Sequence, residues 1–370
     1  MLEKRFSIFV LANKSASFDQ LCQCFRGAPL AETDWMSVIG LANQTMTTPA
    51  LIEAVRESPE IVPLDARSYI TEIYERNLVR NDRLLAQLME AVAALNRGRI
   101  TPVLLKGSAL LATVPRDQMA TRLVSDLDIC VPGAAEFDAS LECLRELGYR
   151  VFYRSGEGAT KCYADLERPT DVGMIDLHQG PPGHSFFYNS MGDITRYCDL
   201  RAFEQGEAYL PNATYHALSL IIHDQFQDSD YWVGDIDMRH LLDLRRLANT
   251  SDGVDWCALA SYARGSLARN ALETQLVSLF SLLDVDVPVK MRSRLLPRLQ
   301  HWRRTLQIRF PSLRQTFLLL AILDYYHYRA EVGKDQRIAN GLGPRNWSFP
   351  RLDSIRWLLD LSRQPRNGKI

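Results

Sequence analysis

Two aspartates, Asp126 and Asp128, stand one residue apart in "LVSDLDICVP", an otherwise apolar run. In an extended strand, residues i and i+2 face the same way. Both carboxylates would then share one face, while Leu127, Ile129 and Val131 share the other. Carboxylates this close raise one another's pKa unless a positive charge lies between them. Their oxygens are the ligands Mg²⁺ prefers, and Mg²⁺ commonly arrives holding phosphates. A third carboxylate, Asp176 in "GMIDLHQ", sits in a comparable apolar setting. If that strand pairs beside residues 123–131, three carboxylates could hold two divalent ions, an arrangement suited to in-line displacement at phosphorus.

Upstream, "LLKGSAL" offers groups that suit phosphates. Gly107 lets the backbone approach a ligand closely, and a helix starting there presents unpaired N–H groups and a positive dipole end. Ser108 suits an N-cap and a phosphate donor. Lys106 and Arg122 could balance the charge of a triphosphate. His178 follows Asp176 by two residues and shares its face in a regular strand. It could reach a phosphate or an acceptor hydroxyl, or simply be a hydrogen-bonded strand histidine.

The elements that must position these residues fall into three regions. Residues 1–99 read as helical; within them Ile70, Ile73, Leu78, Leu84, Leu88, Val92 and Leu95 recur at helical spacing, and Gly98 follows as a stop. Residues 100–180 change to short apolar runs between turns: "PVLLKG", "LVSDLDICVP", "YRVFYR", "TKCYADLE" and "VGMIDLHQ" read as strands, the last two as a hairpin across "RPTD". After the break "QGPPGH", residues 181–370 return to helices such as "DMRHLLDLRRLAN". The expected fold is α+β, a small mixed sheet flanked by N-terminal and C-terminal helical regions.

A strand ending in Gly-Ser, a helix, a strand bearing Asp-x-Asp and a later strand with a third Asp resemble the DNA polymerase β-like nucleotidyltransferase superfamily. More closely, "LLKGSAL", Arg122 with "DLDICV", and "IDLH" look like its uncharacterised bacterial nucleotidyltransferase family; "DMRHLLDLRRLA" resembles that family's C-terminal helix. The clear match covers residues 103–180. The resemblance implies that Asp126, Asp128 and Asp176 are catalytic metal ligands and that Gly107 and Ser108 hold nucleotide phosphates. It also implies an NTP co-substrate, Mg²⁺ or Mn²⁺, and release of pyrophosphate on transfer of an NMP to an acceptor. A small-molecule acceptor is favoured, with RNA or protein as alternatives. Two rival readings are a degenerate nucleotidyltransferase-like binding module and a toxin-like enzyme modifying RNA or protein. The interval between Ser108 and Asp126 is longer than usual in the superfamily.

Other features read as structural. Asp235-Ile236-Asp237 also spells D-x-D, but a helix follows, so capping is expected. His223, on an apolar helix, reads as a core histidine. Arg239 and Asp243 could form an i, i+4 pair. Residues 287–323 carry eight Lys/Arg and no Asp or Glu. Such a stripe could face RNA, although a net charge of −1 favours a solvated or interdomain face. Seven scattered cysteines without zinc-ligand spacing suggest reduced thiols in a cytoplasmic protein. The opening apolar run, about seven residues ended by Asn13-Lys14, is short for a secretory signal.

Overall fold

The computed structural model describes residues 15–155, 162–180 and 193–319, with scattered positions from 321 to 370. The opening apolar run and the Pro/Gly-rich break after Gly180 lie outside the described residues. Helices α1 (15–25), α2 (Trp35–Gln44) and α3 (Ile52–Glu57) lead into the long α4 (Leu64–Arg97). Next come β1 (Val103–Leu104), α5 (Lys106–Thr113), α6 (Arg116–Met119), β2 (Leu127–Val131), α7 (Ala134–Glu146), β3 (Arg150–Arg154), β4 (Tyr163–Glu167) and β5 (Ile175–Gln179). A hairpin, β6 (Cys198–Phe203) and β7 (Gly206–Pro211), precedes α8 (Ala213–Ile222), α9 (Asp230–Val233) and α10 (Met238–Ala248). Helices α11 (Trp256–Tyr262), α12 (Gly265–Leu283), α13 (Val289–Arg292) and α14 (Leu295–Arg309) follow.

The seven strands form one mixed sheet in the order β3-β4-β5-β2-β1-β7-β6. β2 runs parallel to β5, and β4 and β5 form the expected antiparallel hairpin. A boundary at residue 180 cuts this sheet, because β7 pairs parallel with β1 and brings β6 with it. Charged and exposed residues on β6 hide the alternation there, as befits an edge strand.

The sheet separates two apolar cores. Leu127, Ile129 and Val131 of β2 pack with Leu84, Leu88, Val92 and Leu95 of α4 and with Phe137 and Leu141 of α7. Cys130 and Val103, pointing the other way, join the core built by the helical regions, which also takes Ile70 and Tyr74 of α4. Helix α4 thus serves both cores along its length. Gly98 ends it, although not through a left-handed conformation: its φ is −76°, and Arg99 takes φ 60° instead. A Cβ at Gly98 would lie 2.7 Å from Cys143 Sγ, so close packing explains the glycine.

Much of the basic stripe is spent internally. Arg303 and Arg304 are buried; Arg303 donates to Tyr231 O, and Arg304 donates to the Gln225 and Gln275 side chains. Arg294 pairs with Glu273, and Arg314 with Asp235. These contacts tie α12 and α14 to the α9 region, while Lys290, Arg298 and Arg309 stay exposed. All seven cysteines are free, and no helix among the described residues is long and apolar enough to cross a membrane.

Candidate active site

Strand register assembles the site. Asp128 on β2 lies opposite Asp176 on β5, and Asp176 lies opposite Asp165 on β4. Three carboxylates therefore form a row across three neighbouring strands, on the face away from the Leu127–Ile129–Val131 core. Asp126 is one residue ahead of β2, half-buried, and lines the adjoining cleft together with Asp128. The side chains of Asp128, Asp176 and His178 come close enough to hold one metal ion; Asp126 is not in that group. Asp165 was missed in the sequence, where only the alternation in "YADLE" shows it on the polar face with Tyr163 and Glu167.

The charges do not balance among the carboxylates alone. Lys106 Nζ lies 2.7 Å from Asp128 Oδ1, and His178 Nε2 lies 3.3 Å from the same oxygen. Burial pushes the Asp128 carboxyl up, but Lys106 and His178 outweigh it and hold the group well below its ordinary range. Asp176 has no such partner among the described residues. Burial, then repulsion from Asp126, Asp128 and Asp165, pushes it up to about 8 against a weaker pull from Lys106. Asp165 is raised as well, first by burial. A row of hard oxygen donors in which one carboxyl keeps its proton near neutrality suits a divalent cation.

Lys106 reaches Asp128 from the first position of α5 with φ 43°, a left-handed backbone that a lysine rarely adopts. Replacing Lys106 by Met strips Asp128 of its nearest cation. We expect a loss of about 3 kcal/mol in stability, partly restored by Mg²⁺, measured by thermal melts with and without the metal.

Gly107 and Ser108 differ from expectation. Leu105, not Ser108, caps α5, and it makes no side-chain cap bond; Ser108, the third residue of the helix, donates its N–H to Leu105 O at 2.9 Å. Ser108 Oγ is buried without a hydrogen-bond partner among the described residues. Gly107 lines the cleft, yet its missing side chain has a packing cause: a Cβ would stand 2.8 Å from Val124 Cγ1. Val124 is buried and β-branched, so it cannot turn aside. Gly107→Ala should cost about 1–3 kcal/mol, readable in urea unfolding.

Arg122 is buried and committed to a carboxylate. Its Nε lies 2.8 and 3.1 Å from the two oxygens of Asp243 on α10, so it balances that charge rather than standing free for a triphosphate. Arg239 consequently does not pair with Asp243; it bonds Asp237, which caps α10 by accepting from Arg239 N and His240 N. His223 and His240 form the far wall of a cleft of about 150 Å³ whose near wall is Lys106, Gly107, Asp126 and Asp128. His240 Nδ1 bonds the buried Asp224.

The long interval between Ser108 and Asp126 is bolted to α4. Tyr74 Oη donates to Asp117 O, Asn77 Nδ2 to Ala120 O and Arg122 O, and Asn81 Nδ2 to Met119 O and Arg122 O. Arg80 donates to Val124 O. Residues at these spacings share one side of a helix. Asn77 and Asn81 are polar interruptions of an apolar stripe, the signal that could have found them.

A family model described as an uncharacterised nucleotidyltransferase matches residues 31–283, which hold all seven strands. The chain belongs to that nucleotidyltransferase family. The family match reaches from the N-terminal helices to the end of α12, so it takes in α10 and its Arg122 partner as well as the sheet. Among solved structures, the chain is similar to JHP933 from Helicobacter pylori, with 14% identity, 67% of this chain and 98% of that one covered, and a TM-score of 0.29. No curated protein matches it.

Proposed function

We propose that this member of the nucleotidyltransferase family moves an NMP from an NTP to a small-molecule acceptor in a reaction that depends on Mg²⁺ or Mn²⁺. The observation that carries the reading is the carboxylate row Asp128–Asp176–Asp165, with Asp126 beside it. Asp128, Asp176 and His178 would hold a cation, joined by Asp126 if that side chain turns toward them. When bound, the metal neutralises phosphate charge and activates the attacking oxygen.

The acceptor oxygen attacks the α-phosphorus of the NTP, forming one O–P bond as the bond to pyrophosphate breaks. The acceptor's proton passes to Asp176, which a bound cation would keep ionised and so able to accept it. Lys106 supplies positive charge at the cleft, whereas Ser108 is fully buried within α5. Arg122 acts indirectly, by holding α10 against the sheet. Seven free thiols support a reducing, cytoplasmic setting.

Incubation with each α-labelled NTP, Mg²⁺ or Mn²⁺ and a fractionated cell extract tests the reading. Label should enter the small-molecule fraction, and entry into RNA or protein instead would replace the acceptor class. No metal-dependent incorporation into any fraction would favour a binding module.

A further inference from the structure

Beside the catalytic cleft lies a larger cavity of about 730 Å³. Arg122 and Arg239 line both spaces, so these two side chains form the partition between the carboxylates and the cavity. The volume falls in the range of small-ligand pockets, about 300–1,000 Å³. Its wall also carries Arg245 and Arg246 of α10.

Several of these cations already have partners. Arg122 pairs with Asp243, Arg239 with Asp237 at 3.1 Å through Nη2, and Arg245 with Glu53 at 2.9 Å. Arg246 differs: it makes no ion pair among the described residues, and donates only from Nη2, to Thr121 Oγ1 at 2.8 Å. Its Nη1 is buried without a partner among the described residues, and so is Nε of Arg239. A buried guanidinium N–H without an acceptor is costly, more so than a neutral one. Burial also pushes the Arg246 pKa down, with Asp243 and Glu53 only partly opposing it. The remaining acids on the wall, Glu57 and Asp117, are exposed.

We propose that this cavity is the acceptor site and that the acceptor is a small molecule bearing a phosphate or carboxylate, held by Arg246 and Arg239. A guanidinium fork matches the paired oxygens of either group. The acceptor's anionic end is an anchor; its nucleophilic oxygen reaches past Arg122 and Arg239 toward the carboxylate row. The NTP triphosphate is the rival source of the same oxyanion chemistry, but it must lie with the metal at the carboxylates, on the other side of the partition. The proposal rests on the transfer reaction above and adds the chemical class of its second substrate.

Calorimetry on the full chain separates the two. Inorganic phosphate is titrated into the free protein and into protein loaded with Mg²⁺ and the α,β-methylene analogue of ATP. Phosphate should bind both forms, and Arg246→Gln should weaken it by about tenfold while leaving analogue binding within twofold. Asp128→Asn should show the reverse, losing the analogue and keeping phosphate. Arg246→Lys keeps the charge but not the fork and should fall between wild type and Arg246→Gln, with thermal melts checking that each variant is folded. Three outcomes overturn the proposal: no phosphate binding to the wild type, equal phosphate binding by Arg246→Gln, or weakened analogue binding in Arg246→Gln. Failure of the analogue to bind wild type would instead strike the transfer reaction, and the phosphate titration of the free protein would still read the cavity.

Discussion

Asp128→Asn is expected to lower the proposed nucleotidyl transfer by at least about 10³-fold while the protein stays folded. Asn keeps the shape of Asp and removes its charge, so the change isolates electrostatics. Asp128 Oδ1 is the point where Lys106 and His178 converge, and the carboxylate lies in register with Asp176. Without its charge the row loses its most strongly ionised member, and Lys106 is left facing an amide. Breaking a buried ion pair costs about 3–5 kcal/mol, but Asp126 and Asp176 also act on Lys106, so the cost should fall at or below the lower end. Single-turnover transfer at saturating Mg²⁺, with circular dichroism as the folding control, is the measurement. Activity within tenfold of wild type would remove Asp128 from the chemistry.

Asp176→Asn should also abolish transfer, but with the opposite effect on the metal-free protein: it should become more stable. In the folded chain Asp176 keeps its proton until about pH 8, whereas in the unfolded chain it ionises near its ordinary value. Between those values the folded state holds a proton that the unfolded state has lost. Stability therefore falls as pH rises from about 4 to about 8 and levels off above that. The full shift would exceed 5 kcal/mol at about 1.4 per unit; solvent screening at this partly exposed group reduces it to about 2–4 kcal/mol. Asn has no proton to lose, so the variant's advantage in EDTA should grow from pH 5 to pH 8. Mg²⁺ should stabilise the parent, more strongly as pH rises because binding displaces the Asp176 proton, and should do little for the variant. Melting temperatures across that pH range check both statements, and an advantage independent of pH would defeat the account. A site stabilised by removing its own carboxylate is one where function has been kept against stability.

The two predictions rest on residues legible in the sequence to different degrees. Asp126, Asp128 and Asp176 stand out because a carboxylate in a buried strand has few structural excuses. The five strands from 103 to 179 are legible for a related reason: apolar alternation between turn residues is a local pattern. β6 is not legible because an exposed edge strand needs no apolar face, as Asp199 and Arg201 illustrate, and β7, paired between β1 and β6, buries only Ala208 and Leu210. The Gly107-Ser108 pair suggests a phosphate cradle from its position before a helix. Packing against Val124 accounts for the glycine, and the serine lies inside the helix rather than at its cap. Nothing local reveals that Val124 approaches, since a loop and α6 intervene.

The sequence alone settles that carboxylates stand on the polar face of buried strands, because a side-chain period of two is a property of each strand taken separately. Which carboxylates meet is decided only when strands pair. The β2–β5–β4 register sets Asp165 and Asp128 on either side of Asp176, and a slip of one residue would turn either away from the site. The same holds for Lys106 against Asp128 and Arg122 against Asp243, charges far apart in the chain that are brought together by packing the helices on the sheet. Hydrogen-bond ladders and core contacts between distant segments hold that information, and no window of sequence contains them.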